Sequence, residues 1–241
     1  MTNGEQPIAV LVHGAFAESA SWNRVIEGLR RRGLDAVAVA NPLRDVAGDA
    51  AYLRDVIAGI GRPVVLAGHS YGGMVISEAG AGNPAVRSLV YVAAFAPEPG
   101  ESAFQLSAKF EGSTLAGALE AYPVSSGGNE FRIDDGKFHH QFCADLDAGE
   151  AALMAATQRP VTEKALTGGL EASEPAWRTK PSWFVFGDRD LNIPPELLRF
   201  MAGRAAARGT REIAGASHAI AASRPEAVVA SVLDAAGDRQ G

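Results

Sequence analysis

The sequence predicts an α/β domain built on a mostly parallel sheet of about six strands flanked by helices, and three observations carry that expectation. From Ile8 to Ala94, short unbroken apolar runs alternate with segments of helical period. Strands buried on both faces read as continuous apolar runs, and their alternation with helices implies parallel crossover connections. The alternation lapses between Pro97 and Pro181 and then resumes. Finally, 241 residues with 47% hydrophobic side chains are enough to bury one core without disulfide or metal cross-links.

The elements follow in order. Ile8 to Val12 is an apolar run ending in His13-Gly14, a buried strand that enters the core almost at once. Ser21 is placed to N-cap a helix carrying Trp22, Val25, Ile26 and Leu29 at helical spacing, closed by Gly33 after three arginines. Ala36 to Ala40 reads as a strand, Asp45 to Ile60 as a helix with Val46, Leu53, Val56, Ile57 and Ile60 on one face, and Pro63 to Ala67 as a strand. A helix from Tyr71 to Ala81 and a strand from Ser88 to Ala94 complete the first half, which stops at Pro97 and Pro99. The irregular segment holds short helical stretches such as Gly149 to Ala156 and reads as an insertion. After it come a strand from Ser182 to Phe186, a helix from Pro195 to Ala207 and a strand from Arg211 to Ala214. A last helix is opened by the capping box Ser223-Arg224-Pro225-Glu226. Residues 1–96 and 182–241 thus form the core of a single domain and 97–181 its insertion.

Charge and cysteine usage narrow the function. The 28 acidic and 22 basic residues leave a net charge of −6 with no block of like charge, so neither nucleic acid nor a membrane surface is an expected partner. The single cysteine, Cys143, has no internal partner and no Cys-x-x-Cys neighbour, which suits a reducing compartment and offers no zinc site. Met1 to Pro7 lacks the basic and apolar regions of a leader, and no apolar run approaches the roughly 18 residues of a spanning helix. The expectation is a cytoplasmic protein of undetermined oligomeric state acting on a small molecule.

Gly68-His69-Ser70-Tyr71-Gly72 matches Gly-x-Ser-x-Gly and falls between a predicted strand and a predicted helix, the context that gives the motif meaning. A serine on so sharp a turn takes a strained backbone, and its neighbours two residues away must be small for strand and helix to approach. The competing reading is a tight glycine turn with an incidental serine. A serine hydroxyl needs a base, and His218 is the best placed of five histidines, in the polar loop Gly215-Ala216-Ser217-His218 late in the chain. His13 reads as fixing loop shape, His69 as pointing away from any hydroxyl it could activate, and His139 and His140 as facing solvent. For the carboxylate that orients the base, the loop Gly187 to Pro194 offers Asp190, which is preferred, and Asp188, which instead suits pairing with Arg189 or capping the turn. An oxyanion needs preorganised donors worth on the order of 3 kcal/mol each. The amide of Tyr71 and an amide of His13-Gly14-Ala15-Phe16, that of Ala15, fit the need. Phe16 and Trp22 either wall an acyl pocket or pack in the core.

Together His13 to Phe16, Gly68 to Gly73, Asp190 with Ile193-Pro194-Pro195, and Ser217-His218 resemble the α/β-hydrolase superfamily over nearly the whole chain. Within it the sequence is similar to the branch of methylesterases, hydroxynitrile lyases and small bacterial esterases. That resemblance implies a small, compact helical cap where 97–181 lies. Related hydroxynitrile lyases carry threonine in place of Gly14 and lysine in place of Ala219, which disfavours cyanohydrin cleavage; Ser70 argues against the aspartate-nucleophile epoxide hydrolases and dehalogenases.

The expected activity is hydrolysis of a small carboxylic ester through an acyl-enzyme, with Ser70 attacking, His218 moving the proton, Asp190 holding the imidazole, Ala15 and Tyr71 amides binding the oxyanion and Phe16 at the substrate. No metal or cofactor is required. With a neutral histidine as base, the rate should rise through roughly pH 6 to 7. Carbon–carbon hydrolysis, lactone opening or acyl transfer on the same residues, and ligand binding without turnover, are the alternatives.

Overall fold

The computed structural model describes residues 6–125 and 127–238. The first five residues, part of the stretch on which the argument against a leader rests, lie outside them. In chain order the strands are β1 (Ile8–Val12), β2 (Ala36–Val39), β3 (Val64–His69), β4 (Val86–Val92), β5 (Leu119–Pro123), β6 (Asn129–Ile133), β7 (Val161–Thr162), β8 (Ser182–Gly187) and β9 (Gly209–Ile213). The α-helices are α1 (Asn23–Arg31), α2 (Val46–Ile60), α3 (Gly72–Ala79), α4 (Ala103–Ser107), α5 (Asp135–Phe142), α6 (Ala148–Thr157), α7 (Glu163–Thr167), α8 (Ala176–Thr179), α9 (Pro195–Arg204), α10 (Ile220–Ser223) and α11 (Pro225–Gly237).

Six strands form one sheet in the order β2-β1-β3-β4-β8-β9, every pair parallel. Central β3 is buried at all six positions, whereas edge strand β9 alternates between partly buried and exposed residues. This is the pattern expected when helices cover both faces of the middle but not the rim. The chain runs from β1 outward to β2 and then back past β1 to β3, so right-handed crossovers place α1 on one face and α2, α3 and α9 on the other. Helix α11 returns to lie on α1, β4 and β8. The carboxyl ends of β1 and β3 flank the point where the winding reverses, the place where such sheets form ligand sites.

The insertion is not helical throughout. Beside α4 to α8 it carries a three-stranded antiparallel sheet, β5-β6-β7. β5 is almost wholly exposed and pairs along one side only, so its run Leu-Glu-Ala-Tyr-Pro lacks the apolar continuity that marks a core strand. Its neck is clamped to the core. The Trp177 indole donates to the carbonyl of Pro97 at 2.8 Å, and Arg204 in α9 donates to Ala96 and, at 2.7 Å, to Glu101. Where the chain returns, the buried carboxylate of Glu78 in α3 accepts from the amides of Glu171 and Ala172 at 3.0 and 2.8 Å.

Two expected caps are corrected. Ser21 lies inside a short 3-10 turn and donates its hydroxyl to Glu18 O at 2.7 Å, so α1 begins two residues later behind Trp22. Ser223 ends α10 instead of capping α11, whose N-cap is Arg224 with Pro225 as its first residue. Proline at N1 supplies a fixed φ and no orphan donor, so that helix starts without a side-chain cap. No helix among the described residues is long and apolar enough to cross a membrane.

Candidate active site

Ser70 sits between β3 and α3 with φ +54°, in the left-handed region that a non-glycine residue enters only when its surroundings hold it there. The holding is steric. A Cβ on Gly68 would lie 2.5 Å from Gly72 O, and one on Gly72 would lie 2.4 Å from Val12 O. Strand, helix and β1 therefore close on one another only because both positions are bare. Gly14 brings the loop after β1 against the serine: a Cβ there would meet Ser70 Cβ and His69 O at 2.6 Å and Tyr71 N at 3.0 Å. The amides of Ala15 and Tyr71 flank this contact, and neither donates to another group among the described residues.

The loop after β1 is locked by His13. Its Nε2 accepts from Asn41 N at 3.0 Å, so Nδ1 carries the proton and donates to Gly14 O at 2.9 Å, while Asn41 Nδ2 donates to His13 O. Burial pushes the imidazole down to about 4, so it stays neutral. On the other side of the elbow, the Tyr71 hydroxyl donates to Asp49 Oδ2 at 2.9 Å, and Asp49 Oδ1 accepts from Arg44 N. Burial raises both Asp49 and Tyr71 above their ordinary ranges.

Asp190 and His218 are brought together. His218 Nδ1 donates to Asp190 Oδ2 at 2.6 Å, and Asp190 Oδ1 accepts from the amides of Asn192 and Ile193 at 2.8 and 2.9 Å. This bond places the imidazole lone pair on Nε2, a buried atom with no hydrogen-bond partner among the described residues. Asp188 faces elsewhere: its Oδ1 accepts from Gly215 N at 2.7 Å, and Arg189 lies 4.0 Å away. Of the two roles weighed for Asp188, the arginine contact is present, while its carboxylate caps no amide of its own turn and instead ties the loop after β8 to the loop after β9.

Sequence reasoning missed how the insertion holds both loops. In α5, Gln141 Nε2 donates to Leu191 O and Asn192 Oδ1 at 2.9 and 2.8 Å. Phe142 O accepts from Ala219 N at 3.0 Å, and Asp145 accepts from the Ser217 hydroxyl. The Phe142 ring meets His218 edge-on at 5.1 Å. No periodicity flags such contacts, since they join segments far apart in sequence. His69 was expected to have no hydroxyl to serve, and its Nε2 instead bonds His218 O at 3.0 Å. His140 is exposed; His139 is partly buried and bonds Leu146 O at 2.9 Å, fixing the loop after α5.

A cavity of about 270 Å³ lies between core and insertion. Ser70, Ala15, Tyr71, Phe16, Phe95, Asn192 and Ile193 form its core side; Ala103, Phe104, Leu115, Leu119 and Leu166 are among those on the insertion side. Phe16 thus faces the cavity, whereas Trp22 is buried in the core against His69. Among the described residues, no cluster of three or more His, Cys, Asp or Glu side chains has the arrangement of a metal site.

A model described as the alpha/beta hydrolase family matches residues 9–231. The chain belongs to that family. The alpha/beta hydrolase nvfD of Aspergillus novofumigatus (strain IBT 16806) is 28% identical over 256 aligned residues, covering 97% of this chain and 98% of the relative. A carbendazim hydrolyzing esterase of Nocardioides sp. (strain SG-4G) is 36% identical over 138 residues, 47% of this chain and 56% of that one. Among solved structures, polyneuridine aldehyde esterase superposes with a TM-score of 0.81 at 21% identity, covering 95% of this hydrolase and 99% of that chain. A pyrethroid hydrolase from Sphingobium faniae JZ-2 gives 0.76 at 20%, covering 95% and 97%. At these identities the two structures establish the shared fold of the alpha/beta hydrolase.

Proposed function

We propose that this alpha/beta hydrolase cleaves small carboxylic esters by way of an acyl-enzyme on Ser70. The observation that carries the reading is the pairing of a strained serine on a cavity wall with a buried Asp190–His218 pair whose Nε2 is uncommitted. His218 Nε2 takes the Ser70 proton as Oγ bonds to the ester carbon. The same proton then passes to the departing alkoxide, and water repeats the sequence to release the acid. His218 Nε2 accepts from no group among the described residues, which leaves it available to the Ser70 proton. Ala15 and Tyr71 amides serve as oxyanion donors, supported by their position beside the Gly14–Ser70 contact and their lack of other partners. Phe16 contacts the substrate, in keeping with its place on the cavity wall.

The esterase names of the carbendazim-hydrolysing and polyneuridine aldehyde relatives favour ester over carbon–carbon chemistry. The cavity volume favours compact substrates. A cytoplasmic location is part of the same reading, supported by a lone Cys143 that is buried and whose thiol burial pushes up to about 12. The test is turnover of short-chain ethyl and aryl esters by the wild type and Ser70→Ala, with fluorophosphonate labelling mapped to the modified residue. Loss of turnover and of labelling in Ser70→Ala is expected. Labelling elsewhere, or turnover that survives the substitution, would overturn the assignment.

A further inference from the structure

Asn192 is 2% exposed and lines the same cavity as Ser70. Its backbone is fully committed, the amide to Asp190 Oδ1 and the carbonyl to the Ser113 hydroxyl at 2.9 Å. The orientation of its side chain is also determined. Leu191 O can only accept, so the Gln141 group facing it is Nε2; that same Nε2 donates to Asn192 Oδ1, while Gln141 Oε1 accepts from Thr114. With Oδ1 turned to α5, the carboxamide leaves Nδ2 on its opposite side. Nδ2 donates to nothing among the described residues and is reachable from the cavity that Asn192 lines. The walls around it are mostly apolar, and the hydroxyls among them, of Ser70, Tyr71, Ser107 and Ser113, do not accept from it, so the acceptor it can take is an oxygen of a bound ligand.

We infer that Asn192 is a specificity-determining residue whose Nδ2 donates to a second oxygen of the substrate, an ether or carbonyl apart from the reacting ester group. The favoured substrates are therefore oxygenated esters, not plain alkyl ones. This rests on the proposed ester hydrolysis at Ser70 and adds a second point of recognition to it. A site that supplies a hydrogen bond discriminates against a ligand lacking the partner more sharply than an apolar wall discriminates by size.

The test walks an ether oxygen along esters of constant length: ethyl pentanoate against ethyl ethoxyacetate and ethyl 3-methoxypropanoate on the acyl side, and butyl acetate against 2-methoxyethyl acetate on the alcohol side. For each pair the ratio of kcat/KM, ether to alkyl, is compared between wild type, Asn192→Leu and Asn192→Asp. Comparing ratios cancels the intrinsic reactivity of each ester. The expected result is a fall of about ten- to a hundredfold in that ratio for at least one pair, expressed mainly in KM. Asn192→Asp keeps an oxygen for Gln141 while replacing the donor, so it should lose the preference as well. Ratios unchanged in both variants would overturn the inference. If the wild type turns over none of the esters, the ester reading fails by itself. Thermal stabilisation of Ser70→Ala and Ser70→Ala/Asn192→Leu by the same pairs then decides on Asn192: equal stabilisation of the two proteins overturns it, and a selective loss for the ether member supports it.

Discussion

His69 Nε2 lies 3.0 Å from the backbone carbonyl of His218, so the residue preceding the proposed nucleophile holds the strand of loop that carries the proposed base. A carbonyl can only accept, which assigns the His69 proton to Nε2. Burial and the neighbouring His218 keep this imidazole well below the ordinary histidine range, hence neutral. His69→Ala should lower kcat by about ten- to a hundredfold, the equivalent of about 1–3 kcal/mol for a lost buried hydrogen bond, with little change in KM. His69→Gln, which can present an amide donor at similar reach, should recover part of the loss. Equal loss in both variants would reduce His69 to packing.

Asp190 and Asp188 should separate cleanly. Asp190→Asn cannot hold His218 with the proton on Nδ1 and should lower kcat by about a thousand- to ten-thousandfold. Asp188→Ala removes the acceptor for Gly215 N on a side chain that is 34% exposed, so about 1 kcal/mol of stability and less than tenfold in kcat are expected. Urea midpoints and steady-state rates on the two variants check both figures, and a reversal of the order would exchange the roles.

Gly14→Ala should damage the site out of proportion to its size. The added methyl meets Ser70 Cβ and the backbone at His69 O, neither of which is a flexible side-chain end. An overpacking cost of about 1–3 kcal/mol would fall on the contact between the two proposed oxyanion donors. A drop of about ten- to a hundredfold in fluorophosphonate labelling rate is expected, with a lowered Tm. Labelling at the wild-type rate would show that the loop and elbow can part without loss.

Acid should destabilise the fold below neutrality. The unfolded chain protonates His13 near 6.5, the native chain only at about 4, so the native state binds fewer protons between those values. Stability from this residue is complete above pH 6.5 and declines as pH falls toward 4, by about 3 kcal/mol in all. His69, also lowered, adds in the same direction. The unfolding free energy followed by urea titration from pH 7 to 4.5 should show this slope, and His13→Gln should flatten it.

Much of this was legible in the sequence because it depends on local pattern. The apolar runs placed all six sheet strands to within two residues at either end; edge strand β9 starts two residues before its expected Arg211 because Gly209 and Thr210 carry no apolar signal. The strained turn at Ser70 was legible from the glycines flanking it, and the approach of Asp190 to His218 from their places in the loops after β8 and β9. The contacts of Gln141, Phe142 and Asp145 were not legible, since a hydrogen bond between residues 50 or 75 positions apart leaves no local period. The same holds for the Asp49–Tyr71 pair and for the strands of the insertion, whose exposed, mixed-polarity sequences resemble loops.

The end of α5 touches both loops at once, through Gln141 on one and Phe142 with the following Asp145 on the other. A recombinant that exchanged residues 97–181 for those of a relative would therefore import more than a new pocket. It would also import a new alignment of Asp190 and His218, the proposed acid and base, so selectivity and turnover would move together. Diversification of this hydrolase by segment shuffling is consequently constrained at a few positions near the end of one helix, and a successful graft must carry them.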